Sequence, residues 1–403
     1  MIANRRKMSG HFPEDVLISI LSRLPVATVL RCTAVCKSWY ALISSPLFIS
    51  AHFQFNSAKT HLLLRYCDGE RVVDKKENYE LYFDDNDTFE VYRKFEFPFI
   101  GVNDYFRIVG SCNGLVCLTD DMGEYNLTTI LWNPSIRKSV VLPEPRVTFT
   151  SHGACSHTHG FGFDPLSNEY KVVRIVNIWL NDGPPQVELF ELGKGRWRDI
   201  SQAASGFLYR VGATAPAAFA RGILHWAAMD ENFRNVILSF DVSKEVFGEI
   251  SLPESVASAS LRYFTDLRVG MYKEELAVFV HGTYSMNPYC CVWVMEEYGN
   301  VRSWTRLFSI NHLRLGFQLL VGFRQNGEAL FVDRDKCFAI FDPKALVIEY
   351  LDIHGSYLHA FYASTYTESL VFMDKVEWSD TNTVRDLLLK HSIEDDADQC
   401  THS

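Results

Sequence analysis

The sequence predicts a mainly β protein, a β-propeller of about six blades behind a small α part at the N-terminus. Three observations carry this. Helical periodicity is confined to residues 12–48, short β-type runs replace it from residue 60 onward, and the β region repeats about every 105 residues.

The helical part comes first. Pro13 stands where a first helical residue is favoured, with Glu14 and Asp15 behind it at the positive end of the helix dipole. Leu17, Ile20, Leu21 and Leu24 follow at i, i+3, i+4 and i+7, one apolar stripe on a helix. Pro25 forces Leu24 out of helical geometry and ends it. A second helical run carries Leu30, Val35, Trp39, Leu42 and Ile43, broken near Cys36, and Ser44, Ser45 and Pro46 end that one. So small a bundle cannot bury all these apolar side chains, which predicts a partner that covers the excess.

These residues resemble a known motif. Pro13 with the acidic pair, Ile20-Leu21, Leu24-Pro25, Leu30-Arg31, Val35-Cys36-Lys37, Trp39, Leu42 and Ile43 are similar to the F-box. One departure is Phe12 in place of the usual Leu, which keeps a large apolar side chain. The resemblance implies an F-box domain at 10–55 that docks onto the Skp-type adaptor of a cullin–RING ubiquitin ligase. It implies an adaptor-binding set of Pro13, Leu17, Ile20, Leu21, Leu24, Pro25, Leu30, Val35, Cys36, Lys37, Trp39, Leu42 and Ile43.

The β region has two alternating forms. In one, a glycine opens a strand, a second strand ends in an aromatic residue plus Asn or Asp, and a turn and return strand follow. It runs from Gly114 to Trp132-Asn133-Pro134 and Leu142-Pro143, from Gly222 to Phe240-Asp241 and Leu252-Pro253, and from Gly327 to Phe341-Asp342 and Leu351. The other is an apolar strand followed by a loop and a tryptophan, Val187–Phe190 with Trp197 and Val292–Met295 with Trp304. Two interleaved forms in each long repeat make units of about 50 residues, the size of kelch-like propeller blades. Counting predicts blades near 62–98, 106–143, 158–202, 215–253, 262–309 and 317–353. A closed ring leaves no open edge, and the first blade is one strand short. Residues 360–373 are therefore expected to supply its missing strand, with Tyr366 and Leu370 facing inward beside Leu62 and Leu64.

The second half carries a resemblance too. Gly160-Phe161-Gly162-Phe163-Asp164-Pro165 with Glu169–Val173, Trp293–Tyr298 with Ser303-Trp304-Thr305, and Glu368-Ser369-Leu370-Val371 are similar to the F-box-associated domain of plants. That group includes the S-locus F-box proteins and F-box/kelch regulators of immune receptors. The resemblance implies a propeller domain over 60–376. Residues 377–403, with Asp395, Asp396 and Asp398 and few aromatics, read as a disordered acidic tail.

Charge and composition narrow the function classes. A net charge of −10 argues against a nucleic-acid partner. No apolar run approaches the ~20 residues of a membrane span, and no leader pattern opens the chain, so the cytoplasm or nucleus is expected. Ten scattered cysteines form no C-x-x-C pair. His152, Cys155, His157 and His159 could hold zinc, but they crowd a Ser/Gly/Thr-rich stretch and read as a polar loop, so no metal is expected. Asp84, Asp85, Asn86 and Asp87 lack the glycine and closing glutamate of a calcium loop and read as a solvated turn. Gly160-x-Gly162 enters a strand and predicts no nucleotide, and Cys291 in a strand predicts a buried, unreactive thiol.

No catalytic residue and no cofactor is therefore assigned. The expectation is a non-catalytic substrate receptor of an SCF-type (Skp–cullin–F-box) E3 ubiquitin ligase, which binds a target protein for ubiquitination and degradation. Its target loops would be 120–126, 152–159, 181–186, 230–235 and 282–288. The alternative is a propeller enzyme or small-molecule binder with a helical extension.

Overall fold

The structure is a computed structural model. It describes residues 13–69, 76–84, 89–99, 101, 106–121, 127–179, 183–206, 209–212, 216–258, 265–282, 289–311 and 315–373.

Four helices open the described chain: α1 (Glu14–Leu21), α2 (Val26–Cys32), α3 (Lys37–Ile43) and α4 (Pro46–Asn56). Pro13 and Pro25 sit at the N-caps of α1 and α2, with extended ψ angles of 143° and 149°. The second break falls at Cys36, as its sequence suggests. Pro46 acts in the opposite sense to the expectation. It starts α4 instead of ending a helix, because proline fits the first helical position and the Ser45 hydroxyl accepts from the Phe48 N–H at 3.2 Å. The fourth helix closes the unit with polar ties: His52 Nε2 donates to the Leu24 carbonyl at 2.9 Å, and the Asn56 amide to that of Ser22 at 2.8 Å.

Six antiparallel sheets follow. Blade 1 carries β1 (His61–Asp68), β2 (Lys76–Phe83) and β3 (Val91–Glu96); blade 2, β4 (Arg107–Cys112), β5 (Leu115–Asp120), β6 (Thr128–Asn133) and β7 (Lys138–Val141). The short α5 (Phe149–His152) leads into blade 3, with β8 (Cys155–Asp164), β9 (Glu169–Ile178), β10 (Gln186–Glu191) and β11 (Arg196–Asp199). In blade 4, β12 (Arg210–Val211) and β13 (Ala218–Ala220) share the inner position against β14 (Ile223–Met229), followed by β15 (Asn235–Asp241) and β16 (Val246–Ser251). After α6 (Glu254–Ala257), blade 5 holds β17 (Thr265–Tyr272), β18 (Glu275–Gly282), β19 (Tyr289–Met295) and β20 (Trp304–Asn311). Blade 6 holds β21 (Phe317–Phe323), β22 (Ala329–Asp333), β23 (Cys337–Asp342) and β24 (Val347–His354).

The inner strand of blade 1 is β25 (Tyr362–Tyr366), antiparallel to β1, so the C-terminal strand closes the ring. Apolar side chains meet between neighbouring blades all the way round. Trp132 packs on Leu63 and Tyr79 between blades 1 and 2, and Phe338 on Leu62 and Leu64 between blades 6 and 1. Close contact between blades 3 and 4 explains the Gly160-x-Gly162 pair: a Cβ on Gly160 would lie 2.4 Å from the Trp226 ring, and one on Gly162 2.5 Å from that of Phe219. The two repeat tryptophans are buried, and their indole N–H groups do equivalent work. Trp197 donates to the Pro143 carbonyl at 2.8 Å and Trp304 to that of Ser251 at 3.1 Å, each in the chain leaving the preceding blade.

Expectations about ring closure and about Asp84 also need correction. The closing strand is shorter than 360–373: it ends at Tyr366, and Leu370 and Phe372 lie outside any sheet. Tyr366 faces the Leu63 side of β1, while Ala363 joins Leu62 and Leu64, because Leu64 pairs with Ala363 and His61 with Tyr366. Asp84 is not a solvated turn residue; it is buried and takes the Arg324 guanidinium at 3.0 Å. The expected tail at 377–403 lies outside the described residues.

Candidate docking surfaces

The chain beyond β25 bends across blade 2 to the helices. Leu370 and Met373 join the helical core with Leu21, Val26, Val29, Leu42, Ile43, Phe48 and Ile49. Ile136, in the β6–β7 turn, packs against the same cluster. Hydrophobic burial thus makes the helical unit and the ring share side chains, so the boundary near residues 55–60 divides the chain but not the packing.

Leu21, Leu42 and Ile43 are buried in this shared core, and Leu17, Leu24, Leu30 and Trp39 pack half-buried against it. Pro13, Ile20, Pro25, Val35, Cys36 and Lys37 are exposed. The sequence-derived set therefore divides into side chains that hold the helices together and side chains that face outward. The outward apolar surface includes three residues that the set lacks: Val16, Tyr40 and Leu47. Val16 and Ile20 stand at i and i+4 on α1, on one face. Val35 and Leu47 are 63% and 64% exposed, high values for side chains of this kind in so small a unit.

The ring has two faces. Each blade is an antiparallel meander, so its inner-to-second and third-to-outer turns lie at one end and its second-to-third loops at the other. Ile136 belongs to a third-to-outer turn, which puts the helices on that first end. The loops 120–126, 181–186, 230–235 and 282–288 are second-to-third connections and share the far end; their residues 122–126, 181–182 and 283–288 lie outside the described residues. The stretch 152–159 is not a loop as expected. His152 ends α5, and Cys155, His157 and His159 belong to β8. Two exposed aromatics on this far end were missed: Trp179, just beyond β9 at 65% exposure, and Phe233 in the β14–β15 loop at 49%. Single aromatics in loops carry no periodicity, and no sequence pattern marks them.

Buried charge braces the far end. Arg174 donates to Glu188 at 2.8 Å and to the Val147 carbonyl at 2.6 Å, while Glu188 also accepts from the Arg146 N–H at 2.8 Å. Blade 1 repeats the device, with Arg65 on Glu77 at 2.8 Å and Glu77 on the Phe106 N–H at 2.8 Å. Each pair pins an inter-blade link through its backbone. Around the ring axis, Gly110, Ser111, Ala218, Gly270, Gly322 and Ala363 are among the residues lining a bore of about 980 Å³. Cys291 is buried within β19, and burial pushes its thiol up, away from the thiolate a nucleophile needs.

A four-helix unit with an exposed apolar flank, packed on one end of a closed six-bladed ring, defines a propeller protein of the F-box class. The comparisons with known proteins agree. A model described as the F-box associated beta propeller domain matches residues 73–376, and one described as F-box-like matches residues 10–54. The chain belongs to the F-box associated β-propeller family. Its relatives include an F-box/kelch-repeat protein of Arabidopsis thaliana, 29% identical over 76% of this chain and 81% of that protein. A second F-box protein of the same plant is 26% identical over 92% of each chain. F-box protein CPR1 of Arabidopsis thaliana is 29% identical over 74% of this chain and 72% of its own.

Proposed function

We propose that this chain is the substrate-recognition subunit of an SCF-type E3 ubiquitin ligase. The helical unit binds a Skp-type adaptor, and through it cullin and a RING protein, while the far end of the ring binds a target protein for ubiquitination and proteasomal degradation. The observation that carries the reading is the exposed apolar flank of the helical unit, centred on Val16, Ile20, Val35, Tyr40 and Leu47. Such side chains gain about 25 cal/mol per Å² of apolar surface removed from water, and a partner is what removes it. Trp179 and Phe233 are suited to anchor the target, since aromatic side chains dominate interface energetics.

In this role the chain performs no bond chemistry. It holds a target near a charged conjugating enzyme and raises the effective concentration of the target's lysines. The shared core of helices and ring supports that role, because it fixes the distance between adaptor and target. The same reading places the protein in the cytoplasm or nucleus.

The test is co-purification with a Skp-type adaptor. The double variant Ile20→Asp with Val35→Asp alters only exposed side chains, so it should keep the unfolding temperature and lose the adaptor. Retention of the adaptor by a folded double variant refutes the reading.

A further inference from the structure

Between blades 2 and 3, side chains far apart in sequence converge on one point. His157 and His159 alternate along β8 and so project from the same face of the strand. Asp121 follows β5 in the neighbouring blade. Its Oδ2 lies 3.4 Å from His157 Nε2 and 3.5 Å from His159 Nδ1, and the three ligand atoms all lie within 4.8 Å of one another.

We propose that Asp121, His157 and His159 bind a divalent transition-metal ion of the zinc type. The two measured separations are long for hydrogen bonds, which run at about 2.7–3.2 Å. They match the edge of a tetrahedron: bonds of about 2.0–2.1 Å put neighbouring ligands roughly 3.3–3.4 Å apart. His159 has only 3% of its side chain exposed, and its Nδ1 has no hydrogen-bond partner among the described residues. A buried ring nitrogen left in that state is unfavourable, and a metal ion relieves it.

The surroundings set the ion's chemistry. Arg107 donates to both oxygens of the Asp121 carboxylate, Nε to Oδ1 at 3.1 Å and Nη2 to Oδ2, the oxygen that also faces the histidines, and so orients the ligand. Cys155 cannot join His159 on one ion, since four residues of strand separate them by about 13 Å. The donor set is therefore two imidazoles and one carboxylate, which suits zinc, cobalt or nickel over calcium or magnesium. Once bound, the ion ties β8 to the end of β5 and links two blades.

Cobalt is the diagnostic probe. The purified full chain, stripped with chelator and dialysed, is titrated with Co²⁺ and then with Zn²⁺. A stoichiometric rise of the strong visible bands of four-coordinate cobalt, without thiolate charge-transfer absorption, is expected. Zinc should bleach those bands and raise the unfolding temperature. His157→Ala and His159→Gln should each lose the bands while keeping a wild-type circular dichroism spectrum. Absence of the bands in wild type, bands with thiolate character, or bands that persist in a folded His157→Ala chain would each overturn the site. Should one histidine variant fail to fold, the other carries the comparison.

Discussion

The Asn133 side-chain amide donates to the carbonyl of Val371 at 2.9 Å and to that of Ser369 at 3.1 Å, so the end of β6 holds the segment that enters the helical core. The position is a repeat site. Its carbonyl oxygen accepts from the Ser135 N–H at 3.0 Å, just as Asp241 accepts from Ser243 at 3.0 Å and Asp342 from Lys344 at 2.7 Å. All three side chains cap the turn to the outer strand. In blade 2 the side chain also faces two backbone carbonyls, those of Ser369 and Val371, and there the residue is an amide. A carboxylate cannot donate to them.

That contrast makes Asn133→Asp a selective probe. The variant keeps the turn cap but leaves the Ser369 and Val371 carbonyls facing a buried acceptor. Each lost buried hydrogen bond costs about 1–3 kcal/mol. Hydrogen exchange should speed up in α1–α4 and in 367–373, while β18 and β19 on the opposite side of the ring stay protected. Uniform protection across the variant would show that Asn133 does not hold the segment.

A second prediction concerns acid. The Ala218 carbonyl can only accept, so His225 Nδ1 carries the proton that bridges them at 3.2 Å, and Nε2 accepts from the Tyr298 hydroxyl at 2.7 Å. Burial pushes His225 down to about 4. The unfolded chain titrates near 6.5 and therefore binds more protons between those values, so stability is present above pH 6.5 and falls as pH drops toward 4. The loss over this window is about 3 kcal/mol for a group so buried. Chemical denaturation of wild type and His225→Gln at pH 7 and pH 4.5 should give a smaller acid penalty in the variant; equal penalties refute it.

The Arg174–Glu188 pair gives a third. Both side chains are almost fully buried, at 1% and 2% exposure. Removing one partner of such a pair leaves an uncompensated charge, at a cost of about 3–5 kcal/mol. Glu188→Ala should lower the unfolding midpoint strongly, and Arg174→Met with Glu188→Leu should recover much of the loss. A Glu188→Ala chain as stable as wild type would mean that solvent reaches the guanidinium.

Much of this architecture is legible in the residues. The 100-odd-residue spacing of Trp132, Phe240 and Phe341 reflects a blade geometry that recurs, and recurrence survives as spacing. The start of α4 is not legible in the sequence because proline both stops and starts helices, and the helix's buried face includes His52 and Asn56, which interrupt the apolar period. The segment after Tyr366 keeps strand parity by accident: Phe372 has a φ of +82°, which no strand adopts. Asp121 and the two histidines lie on different blades, and a tertiary meeting of that kind leaves no local pattern. The surrounding Ser, Gly and Thr made β8 look like a loop, although those small side chains allow blades 3 and 4 to approach.

Ring closure yields the last prediction. Residues 362–366 pair with β1 along five positions, from Arg65 with Tyr362 to His61 with Tyr366. The Tyr366 hydroxyl also donates to the Gly114 carbonyl at 2.9 Å, fastening the closing strand to blade 2. Beyond it, Leu370 is fully buried among the helices. A chain ending after Met373 keeps every one of these contacts and should unfold close to the full-length temperature. A chain ending after Thr367 keeps the ring but loses Leu370, at about 2–5 kcal/mol for a buried leucine, so its helices should loosen first. A chain ending after Ala360 loses β25, bares the long edge of β1 and should aggregate. Thermal melting with light scattering ranks the three. If the shortest chain stays monomeric and melts with the longest, β25 does not close the ring.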